Sequence, residues 1–222
     1  MCFSATASLS AGIVLLFIGL ASVQKVQHRS QFMFAAIPLL FAIQQFSEGI
    51  LWLTLLYPDL QHFQKDSTCF FLIFAQSIWT LHVSISVLIL EKRKTRENIQ
   101  RLLIVIGLLV SCNLGYYLYN YKAHAEIDCY HSLYLQSYPE KFRIWGGLLY
   151  GVATILPSFF SHIRHMCILG ITVLIFYIIT APFYKNYLLS VWCFFAPVIS
   201  ISVWIIMREI KTLLRTEIVK NL

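Results

Sequence analysis

Long, nearly uninterrupted apolar runs make up most of this chain, separated by short clusters of charged and polar residues. The runs fall at about 4–24, 33–57, 68–90, 102–121, 142–160, 166–184 and 187–207. At ~1.5 Å per helical residue, each is long enough to cross a hydrocarbon core of ~30 Å. The pattern predicts an all-α, polytopic membrane protein with seven transmembrane helices in residues 1–207. Beyond Met207, Ile210, Leu213, Leu214 and Ile218 recur at helical spacing beside Arg208, Lys211 and Arg215. Residues 208–222 therefore read as a basic amphipathic cytoplasmic tail lying on the inner leaflet.

Composition agrees. The chain is 59% hydrophobic and only 12% charged, against roughly 25% charged in a soluble domain. A net charge of +7 would point to nucleic acid in a soluble protein. Here the basic residues lie in the breaks between apolar runs, so the expected partner is the lipid bilayer and no nucleic acid. If the N-terminus is outside, the inner segments hold 12 of the 17 Lys and Arg residues and the outer segments 5. That bias predicts an outside N-terminus and a cytoplasmic C-terminus. Met1–Gln24 carries no charge, and so reads as a retained first helix in place of a signal peptide with a basic leader region. Pro38, Pro157, Pro182 and Pro197 fall inside runs, where the carbonyls they free need outside partners. Gly147 and Gly151 form a G-x-x-x-G that would admit a close helix neighbour.

One stretch stands out chemically: Gln44-Gln45-Phe46-Ser47-Glu48-Gly49, whose Glu48 is the only acid inside any of the long apolar runs. An ionisable group at that depth costs roughly 2 kcal/mol or more to insert, so it faces a bundle interior or a wet cavity and marks function by default. Counted inward from the outer ends of the runs, Glu48 lies about nine residues deep, and Gln76, Asn113 and Tyr150 about eight. These four side chains could share one layer. With no Lys or Arg at that depth, desolvation favours the neutral carboxyl, suited to binding a ligand, a proton or a cation. His82, about 9 Å deeper than Gln76, could extend a polar path inward. The plain alternative is that Glu48 is helix glue, bonded to Gln44, Gln45 or Gln76 at about 1 kcal/mol.

At the outer end, His124, Glu126, Asp128, Cys129 and His131 crowd five metal-competent side chains into eight residues, at a spacing that matches no helical or knuckle motif. No bound metal is therefore expected. Cys69 and Cys129 both map outside, where a disulfide would pin the long outer loop over the bundle mouth. Cys112, Cys167 and Cys193 read as small packing residues.

The opening Met1-Cys2-Phe3-Ser4-Ala5-Thr6-Ala7-Ser8, with Gln44-Gln45 and Glu48-Gly49, resembles an uncharacterised family of small prokaryotic multi-pass membrane proteins that begin Met-Cys-Phe-Ser-Ala. The resemblance implies a location in the prokaryotic cell membrane. It also implies that the N-terminus and the Glu48 segment belong to one design, and it lends no activity or cofactor. The leading expectation is a transporter or sensor binding a small molecule or ion beside Glu48, with a homo-oligomer among its partners. The span number also resembles the small sugar carriers and the alkaline ceramidase and adiponectin-receptor superfamily. The latter implies a membrane-embedded metal hydrolase, but the aspartates Asp59, Asp66 and Asp128 all lie outside the runs. A structural or assembly subunit without a ligand is the third alternative. No lysine lies mid-run between Tyr187 and Met207, so a retinal Schiff base has no attachment point there.

Overall fold

The computed structural model describes residues 4–128, 131–137, 140–163, 165–183 and 188–220, with side chains described except at 140–144, 181–183, 188–194 and 214–220. Within these limits the chain is mostly helical. Ala5–Val23, Arg29–Leu56, Pro58–Leu90 and Lys94–Asn120 are each long and apolar enough to cross a membrane, and Trp145–Phe159 and Met166–Thr180 are shorter apolar stretches.

Helix α1 (Ala5–Val23) starts where the Ser4 hydroxyl accepts the Ala7 N–H at 3.2 Å, filling one of the open donors of the first turn. The next rod is a 3-10 turn at Arg29–Gln31, then α2 (Phe32–Ala35) and α3 (Ile37–Leu56). It is interrupted at Ala36, because Pro38 has no N–H to continue the ladder and instead occupies the first turn of α3. The third rod comprises a 3-10 segment (Pro58–Phe63), α4 (Gln64–Leu72), a π-helical segment (Ile73–Ile78) and α5 (Trp79–Leu90). Helix α6 (Lys94–Asn120) follows, and α7 (Glu140–Phe159), α8 (Met166–Phe183) and α9 (Leu188–Lys220) complete the chain. One buried cluster, including Leu15, Phe41, Trp79, Met166 and Val203, joins α1, α3, α5, α8 and α9.

The expectation of a purely helical chain needs one correction. Between α6 and α7 lies an antiparallel hairpin of β1 (Ala123–Asp128) and β2 (His131–Gln136), with Ala125 opposite Tyr134 and Asp128 opposite His131. Ala125 and Ser132 are fully buried while His124 and Glu126 are exposed, the period-2 alternation of a half-buried strand. Gln64 Nε2 donates to the Ala125 carbonyl at 2.8 Å, and the Tyr134 ring stacks on Phe71 at 4.8 Å. The hairpin is thus fixed to α4, in the first half of the third rod.

Close helix contacts also differ from expectation. A Cβ on Gly147 would meet nothing within 4 Å, and one on Gly151 only ordinary contacts from 3.7 Å. The tight approaches are on α1 against α3, where a Cβ on Gly12 would lie 2.8 Å from Phe46, and on α6, where one on Gly107 would lie 2.6 Å from the Thr80 carbonyl oxygen. The carbonyl freed by Pro157, that of Ala153, accepts the Ser84 hydroxyl at 2.8 Å, as the sequence requires. Cys112 and Cys167 are exposed free thiols, not packing residues. The side chain of Cys193 lies outside the described residues.

Candidate functional site

Helix α3 presents Ile43 and Ile50, one heptad apart, on its exposed side. The opposite face therefore turns Phe41, Gln44, Gln45, Glu48 and Trp52 inward at helical spacing. Gln44 is 1% exposed, and Gln45 and Glu48 are 0% exposed. Glu48 is sheltered inside the bundle, and neither it nor Gln45 stands without an interaction partner.

A layer of polar contacts crosses the molecule one turn below. Trp79 Nε1–H donates to Gln44 Oε1 at 2.6 Å, joining α3 to the third rod. Three residues before Trp79, the Gln76 side-chain amide pairs reciprocally with that of Gln136 on β2, at 2.9 and 3.3 Å. The π turn between them opens the helical ladder, and the Ala75 carbonyl there accepts the Tyr150 O–H from α7 at 2.8 Å. Single π turns inside helices occur frequently at functional sites. Trp79 and Tyr150 also wall a cavity of about 40 Å³ that continues along α7 past Thr154 and Ser158. That is room for on the order of two or three waters. Glu48 is not among its lining residues.

The other expected members fall elsewhere. Asn113 is exposed, because α6 buries the stripe Leu103, Gly107, Val110, Ser111, Leu114 and Tyr117, and position 113 lies off it. His82 bonds through Nε2 to the Met33 carbonyl at 2.9 Å. A carbonyl only accepts, so this nitrogen carries the proton and the ring ties α5 to α2. Trp79 and Gln136 were not anticipated. Trp79 follows Gln76 by one helical turn, which could have flagged it, whereas Gln136 reaches the layer only through the hairpin.

On the hairpin, His124 and Glu126 stand 3.6 Å apart with side chains 59% and 53% exposed. They border a cleft of about 340 Å³ shared with Tyr57, Gln61 and Gln64. Burial pushes the His131 imidazole below its ordinary value, with Asp128 opposing. Among the described residues, no three His, Cys, Asp or Glu side chains converge into a group able to hold a metal ion. Cys129 lies outside the described residues, so its pairing with Cys69, a half-buried thiol, is not described either.

The opposite end holds a cluster that the sequence did not suggest. Glu91, between α5 and α6, has a side chain 0% exposed. Its Oε1 accepts the Lys92 and Arg93 N–H groups at 3.1 and 2.9 Å, and its Oε2 accepts the His162 N–H at 2.8 Å. His162 Nδ1 lies 3.0 Å from Oε1. Burial would raise the Glu91 carboxyl, but these N–H groups and the His162 charge outweigh it and hold it below its ordinary value. Beside it, Arg96 bonds the Ser161 carbonyl and His165 pairs with Glu209. The turn between α7 and α8 is thereby clamped to α6 and α9.

The model of a family of unknown function, DUF6629, matches residues 1–216. No curated protein and no solved structure matches the chain.

Proposed function

We propose that this chain, which belongs to the family of unknown function DUF6629, is an integral membrane protein that binds a small ligand, a cation or a proton at a polar site centred on Glu48. In this reading seven helices cross a prokaryotic cell membrane, the hairpin end faces outward, and the site serves transport or sensing. The observation that carries it is the complete burial of Glu48 together with Gln44 and Gln45 in one of the apolar helical stretches. Carboxyls are rare at such depth and mark ion or ligand paths more often than helix contacts. The Gln44–Trp79 bond, the Tyr150–Ala75 bond and the cavity beside them support a continuation of the polar environment away from Glu48.

The test is infrared difference spectroscopy of the purified protein, wild type and Glu48→Gln, across pH and on addition of Na⁺ or K⁺. We expect a carboxyl band that titrates or shifts in the wild type and is missing from the variant, whose fold is retained. A band unmoved by protons and by either cation would favour a second reading. In that reading the layer is structural glue, as the reciprocal Gln76–Gln136 amide pair between the third rod and β2 already is.

A further inference from the structure

Two cations meet on one aromatic ring where α1 ends and α9 leaves its apolar run. Lys25 Nζ lies 6.0 Å from the Trp204 ring centroid, and the Arg208 guanidinium lies 5.8 Å from the same ring. Lys25 is held in place: its N–H donates to the Ser22 carbonyl at 3.0 Å, and its own carbonyl accepts Gln27 Nε2 at 3.3 Å. Gln31 Oε1 in turn fixes the Gln27 N–H at 2.8 Å. Arg208 follows Trp204 by one helical turn, so both stand on the same face of α9.

The ring attracts each cation but neutralises neither charge. Carboxylates would neutralise them, yet those described at this end are engaged elsewhere: Glu91 with His162, Glu97 with Arg101, and Glu209 with His165. Among the described residues no carboxylate pairs with Lys25 or Arg208. About one turn toward the middle of the molecule, Leu20 on α1 and Ile201 on α9 are exposed. An anion fitting this place would carry an apolar tail.

We propose that Lys25, Trp204 and Arg208 bind the phosphate of an anionic lipid headgroup, with its acyl chains along Leu20 and Ile201. Tryptophan is enriched at membrane–water interfaces, where its ring lies at headgroup level, and basic pockets between transmembrane helices recognise anionic headgroups. The inference needs the helices to be membrane-embedded but is independent of any ligand at Glu48.

Native mass spectrometry of the full chain in detergent tests it, with phosphatidylglycerol, phosphatidylcholine of equal chain length, and glycerol 3-phosphate as probes. Phosphatidylglycerol should be retained over phosphatidylcholine, and glycerol 3-phosphate should not bind. Lys25→Ala with Arg208→Ala should weaken phosphatidylglycerol retention about thirtyfold, as expected for two interfacial cations, while Lys25→Arg with Arg208→Lys preserves it. Equal retention of the two lipids by the wild type overturns the proposal without recourse to any variant. So does a double-alanine chain that holds phosphatidylglycerol like the wild type. Glycerol 3-phosphate bound as tightly as the lipid would assign the site to a soluble phosphate and overturn the lipid assignment.

Discussion

Two buried glutamates show how differently one side chain is used in this molecule. Glu91 sits outside the apolar runs with three backbone N–H groups and the His162 ring around its carboxylate. Because its carboxyl is held below its ordinary value, its stabilising contribution is complete above the unfolded-state value and is lost as pH falls through the lower folded-state value. Thermal melts should therefore show the wild type losing stability into the acid range more steeply than Glu91→Gln. Near neutral pH that variant should be less stable by about 2 kcal/mol, since an amide turns a donor toward N–H groups that need an acceptor. Coincident melting curves of the two proteins at neutral pH would show that the clamp is not stabilising. Glu48 was legible in the sequence because an acid inside an apolar run has no solvated explanation. Glu91 was not, because Glu91-Lys92-Arg93-Lys94 looks like an ordinary solvated charge cluster. Only the fold carries the His162 N–H, which is 71 positions away, to its side chain.

At the scale of elements, helix existence was plain and helix contact was not. The apolar runs mark where the rods lie, since length and hydropathy are local properties, but the third rod and α6 begin well before their runs, at Pro58 and Lys94, and α9 continues past its run to Lys220. Which face of a rod meets which neighbour is not local. Gly147 and Gly151 have the small-residue spacing of a tight crossing, yet the structure uses Gly107, where an added Cβ would lie 2.6 Å from a backbone carbonyl oxygen of α5. Gly107→Ala should thus destabilise the protein by about 1–3 kcal/mol, because one helix must shift. Gly147→Ala, with open space at its Cβ, should melt at or slightly above the wild-type temperature, since alanine is the better helix former. Equal losses in the two variants would contradict the packing of α5 on α6. The hairpin was hidden for another reason. His124, Glu126 and Asp128 have the types of metal ligands, but their alternation with Ala123, Ala125 and Ile127 is equally that of a strand, one that buries Ala125 and leaves Ile127 exposed. With the hairpin unseen, Gln136 had no route to the polar layer.

For the molecule as a whole, the two ends differ in chemistry, and that difference bears on orientation. The end with Glu91, His162, Lys25 and Arg208 carries the larger share of basic residues, whereas the hairpin end is lined by Tyr57, Gln61, His124 and Glu126. Lys and Arg near helix ends are retained on the cytoplasmic side, so the hairpin end should face outward. In a chain with its native cysteines replaced, a membrane-impermeant maleimide added to intact cells should modify His124→Cys. Lys94→Cys, exposed at the start of α6, should react only after the membrane is opened. The reverse pattern would invert the molecule while leaving every helix contact intact. It would also move the proposed lipid site at Trp204 to the outer leaflet. Labelling of both cysteines from outside would have a larger consequence. These positions flank α6, a stretch long and apolar enough to cross on its own. Both ends on one surface would mean that α6 does not cross, and the buried face it shares with α5 would then have to be explained without a membrane.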